Sequence, residues 1–172
     1  MDRHRQMVEI VEGSLKKNGY QVIVAPHARK PPYNPEDKEI RLYDKKRDNG
    51  GCNLSNADIA IPNNDKSMRF IIEIETDNVP VPKTLIGTIE ATNYSQVCYI
   101  GQVKDQNVYD IDRDKTILFI ILDDKNNISG DPGRKINWIM KEYEFKQRNI
   151  RNFKISFLNN FVKMSREDLE RS

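Results

Sequence analysis

Arg69-Phe70-Ile71-Ile72-Glu73-Ile74-Glu75-Thr76 is an apolar run in which two carboxylates stand two positions apart. Alternate side chains of a β-strand share a face, so Glu73 and Glu75 point one way while Ile72 and Ile74 point the other. A strand this apolar belongs under cover, and covering a carboxylate without a partner is expensive. The pattern predicts a buried strand whose acids need a cation.

Upstream, Asn56-Ala57-Asp58-Ile59-Ala60-Ile61 is a second strand-like run with one acid near its start. Between the two lies Pro62-Asn63-Asn64-Asp65-Lys66-Ser67, a polar, turn-forming segment of the kind that closes a hairpin. Folding that hairpin brings Asp58 toward Glu73 and Glu75. Three acids on adjoining strands present hard oxygen donors suited to Mg²⁺, with Mn²⁺ as the alternative.

The 172 residues fit a single domain, 1–172, large enough to bury a core without disulfides or structural metal. Two cysteines, with only His4 and His27 to help them, make a zinc framework a poor reading. The polar start Met1-Asp2-Arg3-His4-Arg5 and the absence of any run of membrane-spanning length predict a soluble, cytoplasmic protein with free thiols and no membrane partner. The formal net charge of +2 does not announce nucleic-acid binding, so the distribution of charge matters more than its sum. The local basic groups are Lys45-Lys46-Arg47, Arg134-Lys135 and Lys146-Gln147-Arg148 with Arg151. Each by itself also describes a solvated face.

Along the rest of the chain, Met7, Ile10, Val11 and Leu15 follow helical spacing, and Asn18-Gly19 supplies a stop. On that helix Glu12 lies beside the apolar stripe and Glu9 nearly opposite it, so Glu12 is the acid better placed to look into a site. Tyr20 to Val24 reads as a strand ended by prolines. Residues 26–52 form a long, turn-rich insertion with one possible strand at Glu39 to Tyr43. Its segment from Tyr43 to Gly51 combines an aromatic, three cations, an amide and glycines, and is the first place to look for a DNA contact. A helix from Lys83 to Tyr94 follows the acidic strand, with Leu85, Ile86 and Ile89 on its buried side. Val97–Ile100 and Asn107–Ile111 suggest a second hairpin, and Thr116–Leu122 a central strand covered on both faces. A helix from Asp131 to about residue 148, a strand at Phe153–Leu158 and a last turn capped by Ser165 and Asp168 complete an α/β sandwich around a mixed sheet.

A helix, a strand, a hairpin bearing Asp58 and Glu73-Ile74-Glu75, and a helix behind it resemble the core of the PD-(D/E)xK nuclease superfamily. That superfamily includes type II restriction endonucleases, junction resolvases and repair nucleases. The resemblance covers roughly residues 3–100, with the strand at 116–122 as a further core strand. Ala57 stands where the motif has proline, and Glu75 where it has lysine, which matches the E-x-E variant found among restriction endonucleases. Lys83, opening the next helix, is the candidate for a migrated lysine.

The resemblance implies a restriction-endonuclease-like αβα sandwich and a Mg²⁺-dependent endonuclease that hydrolyses phosphodiester bonds of double-stranded DNA. Asp58 and Glu73, with the main-chain carbonyl of Ile74, would hold the cation against a phosphate oxygen. Glu75 would orient or deprotonate the attacking water, with Glu12 as a further acid. Tyr43, Lys45, Lys46, Arg47 and Lys83 are the candidate DNA contacts. A type II restriction enzyme would act as a homodimer on a palindromic target. A structure-selective resolvase or repair nuclease, and a non-catalytic DNA-binding module on the same fold, stand as alternatives.

Overall fold

The computed structural model describes residues 2–28, 38–76, 82–102, 106–112, 114–126, 134, 138–139 and 153–171. Asp2 opens helix α1 (Arg3–Lys17) by accepting from the His4 N–H, and Gly19, at φ 82°, lets the chain turn back so that its N–H reaches the Lys16 carbonyl. The buried side is Met7, Val8, Val11 and Leu15, with Ile10 39% exposed. The stripe is thus rotated toward Val8 from the expected one, and His4 falls at its centre, one turn N-terminal to Val8.

Among the described residues, nine strands form two sheets. The first has the order β1-β4-β5-β8-β9, from β1 (Ile23–Val24), β4 (Ile59–Pro62), β5 (Met68–Glu75), β8 (Ile117–Leu122) and β9 (Phe153–Phe157). β4 is antiparallel to β1 and β5, whereas β5, β8 and β9 run parallel, so the sheet is mixed. Helix α2 (Pro82–Tyr94) lies between β5 and β8 in the chain. The second sheet is antiparallel, in the order β3-β2-β6-β7: β2 (Ile40–Tyr43), β3 (Asn53–Asn56), β6 (Val97–Ile100) and β7 (Asn107–Asp110). The strand expected at 39–43 therefore lies inside this sheet, between β3 and β6.

One face of the first sheet packs on α1 and on α3 (Leu158–Phe161). Its other face shares a core with the second sheet, with Leu85 and Ile89 of α2, and with Ile139. That second layer combines strands and helix, where a helical layer alone was expected. The run expected as one strand from Asn56 to Ile61 is divided, because the chain leaves the second sheet at Asn56 and joins the first at Ile59. Ala57 and Asp58, both buried, make the crossing, and their backbone is tied to both sheets by Ala57 N–H to Ile40 O and Ala25 N–H to Asp58 O.

The β4–β5 turn forms as its composition demands. Asp65 accepts from the Ser67 N–H and hydroxyl, and Lys66 takes a left-handed φ of 63°. The last turn, α4 (Arg166–Glu170), carries the expected capping box between Ser165 and Asp168. Of the helix expected from Asp131 to 148, only Arg134, Trp138 and Ile139 are described, all helical; the rest lies outside the described residues.

A file of edge-to-face aromatic pairs runs through the first core, Tyr20 on Phe70 at 5.2 Å, Phe70 on Phe119 at 5.3 Å, and Phe119 on Phe161 at 5.5 Å. Phe119 joins sheet to helix and is fully buried. Phe119→Ala is expected to destabilise the chain by roughly 3–5 kcal/mol, and Phe119→Leu by distinctly less. Urea unfolding monitored by circular dichroism measures both.

Candidate acidic site

The antiparallel register that sets Ile59 opposite Ile72 carries Asp58 to the end of β5, where one carboxylate oxygen accepts from the Ile74 N–H at 2.9 Å. Glu73 and Glu75 occupy the same face of β5 as Ile71, toward the layer containing the second sheet. Glu75 ends β5, and its carbonyl accepts from the Asp123 N–H just beyond β8. The acids therefore gather at the carboxyl ends of two parallel strands, where open α/β sheets form their ligand crevices.

Asp58 is 5% exposed and has two imidazole neighbours: His4 Nε2 lies 3.2 Å from Oδ2, and His27 Nε2 3.3 Å from Oδ1. Burial alone would raise the Asp58 carboxyl, but the hydrogen bonds from His27 and His4 outweigh it and hold the group below the usual carboxylate range. His4 in turn is raised, chiefly by its bond to Asp58. One residue earlier, Arg3 grips Asp123 with two bonds of 2.8 and 2.7 Å, and this fork lowers Asp123 to about 2. The fork fastens the first turn of α1 to the end of β8 and so positions His4 over Asp58.

Glu73 has the opposite environment. It is almost entirely buried, and its Oε1 lacks any hydrogen-bond partner. Burial first, then the charges of Asp58 and Glu75, push its carboxyl well above the ordinary range. A shielded oxygen facing two like charges fits a divalent cation, which would satisfy the oxygen and offset the repulsion. Among the described residues, no group of three or more His, Cys, Asp or Glu side chains is placed to hold a metal ion. The protein donors would therefore be the two carboxylates of Asp58 and Glu73 with the main chain of Ile74.

The structure thus brings together Asp58, Glu73, Glu75 and the Ile74 backbone. Glu12 stands apart, two helical turns or about 12 Å along α1 from His4, paired with Lys16 at 2.7 Å. Tyr43, Lys45, Lys46 and Arg47 belong to the second sheet and the loop after it; Tyr43 is buried and the three cations are exposed. Lys83 lies in the first turn of α2, with its side chain outside the described residues. Sequence reasoning passed over His4, His27, Arg3 and Asp123 as members of the site. His4 left a signal, since it continues the stripe of Val8, Val11 and Leu15 by one turn. Comparison with family models, curated proteins and solved structures finds no match to this chain.

Because the folded state raises Glu73, it binds the proton more tightly than the unfolded chain, and stability is lost as pH climbs past the unfolded value of about 4.3. At pH 7 without divalent cation, Glu73→Gln is therefore expected to stabilise the protein by on the order of 1 kcal/mol, a Tm rise of about 2–4 °C. That gain should vanish below about pH 4. Thermal melts of both proteins across this range test it.

Proposed function

We propose that this chain is a divalent-metal-dependent DNA endonuclease of the PD-(D/E)xK type. The observation that carries the reading is Glu73, a buried carboxyl with an unmet oxygen placed against Asp58 at the carboxyl end of a parallel strand pair. Its support extends to the order of elements. A helix, a short strand, an antiparallel hairpin, a helix and a parallel strand give the sheet order β1-β4-β5-β8, with the acids on the hairpin. On this reading β2 with β3, and β6 with β7, are additions to a restriction-endonuclease-like core.

Asp58, Glu73 and the Ile74 main chain would hold Mg²⁺, or Mn²⁺, against a phosphate oxygen. When bound, the cation supplies charge neutralisation and acidifies its water. The chain's own residues set the conditions. Burial removes competing solvent, the imidazoles of His4 and His27 keep Asp58 ionised, and Glu75, at the rim, serves to orient or accept a proton from the attacking water. The proposal extends to duplex DNA as substrate, a homodimer as the cutting unit and a cytoplasmic location. No described helix is long and apolar enough to cross a membrane.

One feature favours a second reading. Both oxygens of Asp58 already have partners in His4, His27 and the Ile74 N–H, and Glu75 replaces the family's lysine, as in a DNA-binding module that does not cut.

The two readings separate on supercoiled plasmid. The endonuclease should nick or linearise it with Mg²⁺ or Mn²⁺, and Glu73→Ala should lower the rate by roughly 10²-fold or more. A four-way junction assayed beside matched linear duplex distinguishes a structure-selective enzyme from one reading sequence. Metal-independent binding with no cleavage on any of these substrates would favour the non-catalytic module.

A further inference from the structure

A second cleft lies away from the acids. In β2 and β6 the side chains of Ile40, Leu42, Cys98 and Ile100 face the inner core, so Tyr43, Val97 and Tyr99 face outward. Tyr43 and Tyr99 meet edge to face at 5.1 Å, and the loop after β2 folds over them. That loop is tight: a Cβ at Gly51 would stand 2.1 Å from the Lys45 carbonyl oxygen, and Gly50 has φ 74°. It delivers Arg47, whose guanidinium carbon lies 5.7 Å from the Tyr43 ring centre and 5.9 Å from that of Tyr99. The Arg47 N–H donates to Tyr99 Oη at 2.9 Å, and Nη1 donates to Gln106 Oε1 at 3.1 Å. The open cleft beside it, about 620 Å³, is lined by Lys46, Arg47, Asp48, Tyr99, Gln106 and Val108.

Arg47 is exposed, yet two rings and an amide hold its guanidinium, so less freedom remains to be lost when it binds. Among the described residues, no carboxylate makes an ion pair with Arg47 or Lys46, and the other guanidinium donors remain for a ligand. Gln106 holds the guanidinium from one side, its Oε1 accepting from Arg47 Nη1. A guanidinium fork fixed by two rings and an amide, beside an ammonium in one open cleft, is the chemistry of phosphate recognition.

We propose that this cleft seats a backbone phosphodiester of nucleic acid on Arg47 and Lys46, with Tyr43 and Gln106 as positioning residues that hold Arg47. The proposal rests on the nuclease reading only for the identity of the ligand. Asn53, opposite Tyr43 in the β2–β3 ladder, is five residues before Asp58, hence within about 18 Å of it. That span is well inside one duplex turn of about 34–36 Å.

Fluorescence anisotropy of a labelled mixed-sequence duplex, titrated with the full chain in the presence of a chelator, tests the assignment. With a counterion term of about 0.9 per phosphate, Arg47→Ala should bind roughly eightfold more weakly at about 0.1 M salt and lower the salt slope by about one. Asp48→Asn, which removes a like charge from the cleft, should tighten binding, and Lys17→Ala on the exposed face of α1 should leave it unchanged. Thermal melts confirm that each variant is folded. If the duplex binds but Arg47→Ala matches Lys17→Ala and keeps the salt slope, the cleft assignment is wrong while the nuclease reading stands. If the wild-type chain binds no duplex with chelator, the cleft assignment is overturned, and if it also cuts none with Mg²⁺ or Mn²⁺, the nuclease reading falls with it.

Discussion

The buried carboxyl of Glu73, facing Asp58 across the β4–β5 hairpin, is the constraint around which this molecule is arranged. Two carboxylates in a low-dielectric setting repel, and each needs its own remedy. Asp58 has one within the chain, in two imidazoles and a main-chain N–H. Glu73 has none for its Oε1 and is held toward the protonated form instead. The two neighbouring acids thus have opposite environments, one holding its carboxyl below the usual range and one raising it well above.

The surrounding structure serves to keep that pair in place. The strand bearing Glu73 is paired on both sides, antiparallel to β4 and parallel to β8, so its backbone is fixed within the sheet. Asp58 sits where one chain passes between two sheets, with its neighbours hydrogen-bonded into both. The Arg3 fork on Asp123 then clamps the first turn of α1 across the strand ends, which holds His4 in contact with Asp58. Sheet pairing, crossing point and clamp converge on one corner of the fold.

Much of this was legible in the sequence because it is local. The alternation in Ile72-Glu73-Ile74-Glu75 and the turn chemistry of Asn63 to Ser67 specify a hairpin, and the hairpin register places Asp58. Ser165 and Asp168 announced their capping box for the same reason. What was not legible depends on long-range placement. Strand-like residues from Asn56 to Ile61 read as one element, since nothing in local pattern reveals a change of sheet at Ala57. Likewise β2, β3, β6 and β7 form a separate sheet, which periodicity cannot distinguish from extensions of the first. His27 and Asp123 reach the site through tertiary contacts from distant segments, and Glu12, read as near it from the stripe alone, lies too far along the helix axis.

On the proposed reading, a cation bound by Glu73 and Asp58 offsets the repulsion between two buried acids. The most direct measurement is calorimetric titration of Mn²⁺ into the protein near neutral pH, repeated in buffers of different ionisation enthalpy to count released protons. Mn²⁺ should bind with proton release from the raised Glu73 carboxyl, and that release should be abolished in Glu73→Gln. Absence of binding, or an unchanged proton count in Glu73→Gln, would contradict that reading.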